Sequence, residues 1–248
     1  MSDALVRLFG WPAVILQRDP TMLDRYRWLR RRLPPGPGRL LDAGCGSGEF
    51  VLYAARRGYA AVGVSYDERL NAIGRRRAAL LHLAGAHFIT ADLRRLDEWA
   101  GDIGAFDVIL CLETLEHIAD DQRLLAGLAR LLRPGGRLLL TAPHAAHRRA
   151  PGEAISLQED GGHVRWGYTP AGLRQMCEGA GLRVLTEETI TGVVTQQIVA
   201  LLARLGNGRA ARALTFPLRA LQIADGALTH VLRYPFYSVA IVAMQPAG

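Results

Sequence analysis

Short, nearly unbroken apolar runs alternate along most of the chain with longer stretches in which apolar residues recur at helical spacing. The runs over 39–42, 59–64, 86–90, 106–112 and 137–141 each stop abruptly at polar residues, glycine or proline. The stretches that follow the first four, roughly 47–57, 67–83, 94–99 and 120–132, place leucine, isoleucine and alanine on one helical face. Apolar strands separated by amphipathic helices predict a parallel sheet covered on both faces. A sixth run at 181–187 and a short β-branched one at 237–244 complete the pattern. The fold class expected is therefore α/β: a doubly wound, mostly parallel, seven-stranded sheet with helices on both faces and an α-helical insertion before the last strand.

The pattern also divides the chain. Thr21 can cap a helix over 21–33, with Met22, Tyr26 and Leu29 at helical spacing, and Pro34-Pro35-Gly36-Pro37-Gly38 ends it. Residues 1–38 read as an N-terminal helical cap, 39–190 as the core, 191–234 as a helical lid insertion and 235–248 as the last strand. Together they make one domain. A polar, glycine-rich connection over 144–168 is long for a compact domain, which usually signals function. Thr169 and Pro170 then open another helix. In the insertion, Val194, Ile198, Leu201, Leu202 and Leu205 form one stripe, and Leu214, Leu218, Leu221, Leu228 and Leu232 a second, with Pro217 as a break.

Composition sharpens this picture in a few places. With 248 residues, 50% of them hydrophobic, the chain can bury one large core. The net charge of +7 comes entirely from arginine, since the sequence contains no lysine. The arginines are scattered, without interleaved aromatics, so no nucleic-acid partner is expected. Cys45, Cys111 and Cys177 are few, odd in number and far apart, as free thiols of a cytoplasmic protein would be. No run reaches ~18 uncharged apolar residues, the mark of a spanning helix, and the first residues lack the pattern of a secretory leader. The expected location is cytoplasmic, with peripheral contact to a membrane as the sharper alternative.

In doubly wound sheets, ligands bind beyond the carboxyl ends of the strands. After the first strand stand Asp42-Ala43-Gly44-Cys45-Gly46-Ser47-Gly48. The G-x-G-x-x-G of a dinucleotide site would need a glycine where Glu49 stands. After the third strand come Thr90-Ala91-Asp92-Leu93. The fourth runs into Phe106-Asp107-Val108-Ile109-Leu110-Cys111-Leu112-Glu113-Thr114-Leu115-Glu116-His117. The fifth is entered through Leu132-Arg133-Pro134-Gly135-Gly136-Arg137-Leu138-Leu139-Leu140. In this order and spacing the set resembles the motifs of the class I S-adenosylmethionine-dependent methyltransferases, across roughly residues 21–190.

The resemblance implies a Rossmann-like sheet, S-adenosyl-L-methionine as cofactor, and a set of contacts. Gly44, Gly46 and Gly48, with Cys45 between them, would let the backbone approach the methionine and ribose part. Asp42 would sit near the ammonium group or an ordered water, Asp92 would accept from the adenine amino group beside Leu93, and Ser65, Tyr66 and Cys111 would border the cofactor. One position departs from the family. Ser65 stands where an acid usually grips the ribose hydroxyls, and Asp67 two residues on is more simply a helix cap.

Methyl transfer from a sulfonium needs alignment more than a base. An oxygen acceptor would still gain from one, by ~10²–10⁴. The candidates are His117, His144 and His163, each of which has an ordinary structural role as its competing reading. If helical, Glu113, Glu116 and His117 fall at i, i+3 and i+4. A similar E-x-x-E-H is associated with magnesium in the quinone-biosynthesis O-methyltransferases. The element is widespread in the family without metal, and no metal is expected here. Trp166 and Tyr168 are pocket-lining or loop-anchoring aromatics.

The function expected is transfer of a methyl group from S-adenosylmethionine to a small or lipid-like acceptor, at oxygen. Its alternatives are a metal-assisted quinone or polyprenyl-phenol O-methyltransferase and, from another class, a non-catalytic cofactor-binding interaction protein. The 191–234 segment is either a lid over the acceptor pocket or an interfacial surface, its leucines flanked by Arg204, Arg209, Arg212, Arg219 and Arg233 against Asp225 alone. Oligomeric state has no signal in the sequence.

Overall fold

The computed structural model describes residues 3–16, 19–147, 154–156, 158–206 and 208–247. Among them seven strands form one sheet: β1 (Gly38–Ala43), β2 (Tyr59–Ser65), β3 (Ala86–Thr90), β4 (Phe106–Leu112), β5 (Leu132–Pro143), β6 (Arg183–Ile190) and β7 (Ser238–Met244). Their order is β3-β2-β1-β4-β5-β7-β6. The first five run parallel, and β7 lies antiparallel between β5 and β6. All seven strands stand within a few residues of where the apolar runs place them.

The alternation of side chains along a strand splits the core into two layers. Leu41, Ile109, Leu138 and Leu140 face one side, where Leu124, Leu125 and Leu128 of α7 (Asp121–Arg130) and Leu173 of α8 (Pro170–Gly179) cover them. Leu40, Leu110, Leu139 and Val242 face the other. There Trp28 and Leu29 of α3 (Thr21–Arg32) and Val51 and Leu52 of α4 (Glu49–Arg56) pack on them. Both faces are apolar and both are covered, hence the near-continuous apolar runs. Helices α5 (Glu68–Leu80) and α6 (Leu96–Ile103) complete the crossovers, and α1 (Asp3–Phe9) and α2 (Trp11–Leu16) join the α3–α4 layer.

One boundary differs from the pattern. The helix expected to reach residue 132 stops at Arg130, and Leu132 already pairs with Phe106 of β4. Gly135, at φ +77°, then turns the strand entry so that its N–H reaches the carbonyl of Gln245. Tertiary pairing has overridden helix propensity in these two residues.

Between β6 and β7 lie α9 (Val193–Arg204), α10 (Arg209–Thr215), a 3-10 stretch (Phe216–Ala224) and α11 (Asp225–Val231). The insertion is tied to the N-terminal cap by buried polar groups. The hydroxyl of Thr195 donates to Asp24 Oδ2 at 2.6 Å and accepts from Gln222 Nε2 at 2.7 Å. Asp225 closes the N-terminus of α9, accepting from the N–H groups of Gly192, Val194 and Thr195. Of the two leucine stripes, Ile198 and Leu202 are buried, whereas Leu214, Leu221 and Leu232 of the second lie on the surface.

Candidate active site

Four strand ends meet at one cavity of about 250 Å³. Gly44 and Gly46 border it from β1, Ser65 and Tyr66 from β2, Asp92 and Leu93 from β3, and Glu113, Thr114 and His117 from β4. Glu159 and Gly161 of the long connection between β5 and α8 close its rim.

At β1, burial and then the neighbouring Glu49 push the Asp42 carboxyl up to about 8. Its Oδ2 is buried without a partner. The loop after it is glycine for two different reasons. Gly44, at φ +86°, passes so close to β4 that a Cβ would lie 2.3 Å from Thr114 Oγ1. At Gly46 a Cβ would meet nothing within 4 Å, because that backbone faces the cavity. Gly48 is turned away, onto the ring of Phe88. Cys45 also faces inward, with Sγ 3.7 Å from Asn71 Oδ1, and Cys111 is fully buried in the core. Burial raises both thiols. Asp42, Cys45, Gly48 and Cys111 thus all lie outside the set of residues that border the cavity.

At β2, Ser65 accepts from the Asp67 N–H at 3.2 Å, while Asp67 accepts from the Arg69 N–H and caps α5. This corner, where an acid was expected by resemblance, therefore offers a hydroxyl, while Asp67 serves as a helix cap. Tyr66 stands at the mouth, largely exposed. At β3, Asp92 is gripped by Arg94, whose Nε and Nη2 donate to both carboxylate oxygens at 2.6–2.9 Å. This hydrogen bonding holds the Asp92 carboxyl below its ordinary range. Arg94 also donates to the carbonyl of Glu159 across the rim. Sequence reasoning missed Arg94, and its only signal was the place immediately after the strand end.

The β4 corner is the most polar wall. Glu113 continues the sheet pairing through its N–H to the carbonyl of Thr141, then takes φ +52°, a conformation that non-glycine residues adopt rarely. Residues Leu115–His117 form a 3-10 turn, not the α-helix that i, i+3, i+4 geometry assumed. Glu116 is buried, its Oε2 has no partner, and burial together with Glu113 raises its carboxyl well above the ordinary range. His117 shares a hydrogen bond of 3.0 Å between Nδ1 and the Gly162 carbonyl, and its Nε2 lies 3.8 Å from Glu116 Oε1. Because a carbonyl only accepts, Nδ1 carries the proton there. His163 stands edge-on to His117, ring centroids 4.7 Å apart.

The connection that carries His163 is strapped to this corner. The Val164 N–H donates to the carbonyl of Glu116, and Arg165 donates to the carbonyls of Ile118 and Ala119 and to the carboxylate of Asp121. Tyr168 donates its hydroxyl to the same carboxylate, so it anchors the connection. His144 goes elsewhere: its Nδ1 accepts from the Ala146 N–H, and it does not border the cavity. Burial and then His147 lower its basicity. Among the described residues, none of 191–234 borders the cavity either.

Positive charge reaches this acid-rich site from Arg94 at Asp92, from Arg165 near Glu116 and from α3. Arg25 of α3 bears electrostatically on both Asp42 and Glu116. Asp42, Glu113 and Glu116 each keep a buried oxygen without a partner among the described residues. Since buried charges are costly unless compensated, the arrangement suits a cationic ligand.

Comparison with known proteins agrees with this geometry. The family model described as "Methyltransferase domain" matches residues 17–187. The ubiquinone biosynthesis O-methyltransferase of Coxiella burnetii is 28% identical over 176 residues, 68% of this chain and 72% of that protein. The protein of the same name from Neisseria meningitidis is 30% identical over 171 residues, covering 66% and 71%. Among solved structures, a putative methyltransferase of Haloferax volcanii superposes with a TM-score of 0.64 at 20% identity, covering 98% of this chain and 97% of that one.

Proposed function

The chain belongs to the methyltransferase-domain family and is an S-adenosylmethionine-dependent methyltransferase, and on that premise we propose that its acceptor is lipid-like and methylated at oxygen. The observation that supports this placement of the cofactor is the set of buried carboxylate oxygens near the glycine loop that have no partner among the described residues, with Glu113 in the lining of the cavity and Asp42 and Glu116 outside it. A sulfonium with an ammonium group is the cationic ligand such a wall favours.

In this proposal the methionine end lies on Gly44 and Gly46, with its ammonium toward Asp42. The ribose is held by Ser65 and the neighbouring backbone, and the adenine lies against Leu93 with Asp92 as acceptor and Tyr66 at the mouth. Gly48, Cys45 and Cys111 shape the loop and the core around the cofactor without lining the cavity. The acceptor approaches the β4 wall. When bound, S-adenosylmethionine would supply a methyl group on a sulfonium, the S–CH₃ bond being broken as the O–CH₃ bond is formed and a thioether being left. The proton of the acceptor hydroxyl leaves toward His117 Nε2, the lone pair that the Gly162 contact exposes.

The relatives of C. burnetii and N. meningitidis, named for ubiquinone biosynthesis, support a phenol or quinol of that kind as acceptor. Two features favour a chain that visits membranes to collect it. Leu214, Leu221, Ile223, Val231 and Leu232 of the insertion are each more than half exposed. The net charge of +7 suits anionic lipid. No helix among the described residues is long and apolar enough to cross a membrane. We place the protein at the cytoplasmic face, as one domain whose insertion serves as that surface.

Thermal unfolding tests the cofactor. S-adenosylmethionine and its demethylated product should each raise Tm, because a ligand of the native state stabilises by RT ln(1 + [L]/Kd). A rise with NAD and none with either would refute it.

A further inference from the structure

In the quinone-biosynthesis O-methyltransferases a similar E-x-x-E-H is associated with magnesium, and here that element would be Glu113, Glu116 and His117. The structure does not gather those three. Because 115–117 is a 3-10 turn and Glu113 departs at φ +52°, the residues that converge are Glu116, His117 and His163, whose ligand atoms all lie within 4.8 Å of one another. We propose that Glu116, His117 and His163 form a binding site for a borderline-soft divalent cation of the zinc and cobalt class, and that this site is not a magnesium site.

The donor set decides the class of ion. Magnesium demands near-octahedral oxygen ligands and keeps its waters. Two imidazoles and one carboxylate instead suit zinc-like ions, and a three-residue set leaves a position open for water or substrate. The protein has also prepared the ligands. His117 donates a hydrogen bond from Nδ1–H to the Gly162 carbonyl, the kind of outer contact that fixes the tautomer of a metal-ligating histidine. That leaves a lone pair at Nε2, 3.8 Å from a carboxylate oxygen of Glu116. Two acceptors facing each other repel unless a cation or a proton stands between them. On the same carboxyl group Oε2 is buried and unpartnered, on a residue 1% exposed.

Ligands ~2.0–2.1 Å from a tetrahedral zinc stand about 3.4 Å apart, so the present separation needs a closure of roughly an ångström. The connection carrying His163 is already fastened beside Glu116 through the Val164 N–H and the Glu116 carbonyl, 2.8 Å apart. Closure therefore asks for side-chain movement more than for loop movement. The spacing in sequence could not reveal the third ligand, since His163 lies 46 residues beyond His117.

The inference rests on the pocket reading only in that His117 borders the same cavity. When bound, such a cation would supply Lewis acidity to an acceptor hydroxyl, and His117 would then be a ligand in place of a base. Arg165 and Asp121 fasten the connection whether or not an ion is bound.

Chelator-treated, desalted full-length protein titrated with Co²⁺ tests the site directly. Expected is one Co²⁺ per chain with visible ligand-field bands, displaced by Zn²⁺ and unaffected by a large excess of Mg²⁺. H163A and E116Q should weaken Co²⁺ binding ~10-fold or more, the range in which even outer-shell losses are felt, while E113Q leaves it within about twofold. The Tm rise with S-adenosylmethionine is measured for each protein, and H163Q replaces H163A if the latter has lost it. Absent Co²⁺ bands in the wild type, displacement by Mg²⁺, or equal losses in E113Q and H163A would each overturn the proposal. Absent bands with the cofactor response intact would mean that a proton, not a metal, joins Glu116 to His117. Bands without any cofactor response would refute the pocket reading and leave the cation site standing.

Discussion

With burial and Glu49 pushing its carboxyl up to about 8, Asp42 is mostly protonated at pH 7 in the cofactor-free protein. A cation seated beside it favours the carboxylate, so binding should expel the proton. Calorimetric titration with S-adenosylmethionine at pH 7, in buffers of different ionisation enthalpy, should show close to one proton released per molecule bound. Well above pH 8 the release should vanish, and D42N should lack it throughout. Binding heats that are independent of buffer would contradict the assignment. The sign for stability follows from the same shift. The ordinary value is 3.8 and the folded one about 8. The fold thus prefers the protonated form, and the contribution of Asp42 is complete below pH ~4 and lost as pH rises toward 8. At this scale the sequence was most legible at the glycines, where spacing alone set the dinucleotide reading aside. It was least legible for Cys45, Cys111 and His144. Position next to a strand end says which corner a residue occupies, not whether its side chain turns toward the cavity or the core.

Elements brought larger surprises than residues, and for an identifiable reason. The spacing of Glu113, Glu116 and His117 reads as one helical face only if the backbone is α-helical, and the 3-10 turn with Glu113 at positive φ disperses it. A tighter turn changes which side chains eclipse, so His163 from a distant loop takes the place that Glu113 was expected to fill. The cap and the insertion show the same limit. The leucine stripes of 191–234 announced helices, but the contact that fixes them to α3 runs through Asp24, Thr195 and Gln222. Burial, opposed by the Thr195 hydrogen bond, pushes the Asp24 carboxyl up to about 6. T195V removes that hydrogen bond and leaves Asp24 and Gln222 short of a buried partner. It should lower stability in urea unfolding by about 1–3 kcal/mol, more above pH 6, where Asp24 is ionised, than below pH 4. A neutral effect across that window would mean that the joint is held by apolar packing alone.

For the whole molecule, the alternation of apolar runs and amphipathic stretches was sufficient to foresee seven strands covered on both faces. It could not orient the last one. That β7 enters antiparallel between β5 and β6 depends on where the insertion returns the chain, which is a matter of tertiary packing. The insertion packs on the cap and leaves an apolar surface outside, so its proposed role is at a membrane. Vesicle flotation tests this. The protein should float with anionic vesicles, less so with rising salt, and L221Q/I223Q/V231Q should stay in solution while keeping its Tm rise with cofactor. Wild-type protein that fails to float at low salt would refute it.

The central claim, methyl transfer to oxygen, has the most direct test of all. The purified protein is incubated with S-adenosylmethionine labelled in its methyl group and with a polyprenylated catechol, and the product is read by mass spectrometry. The account predicts one labelled methyl on a phenolic oxygen and an equal amount of demethylated cofactor, with both yields sharply reduced in D42N. Label found on carbon or nitrogen, or an unlabelled acceptor in the presence of bound cofactor, would contradict it.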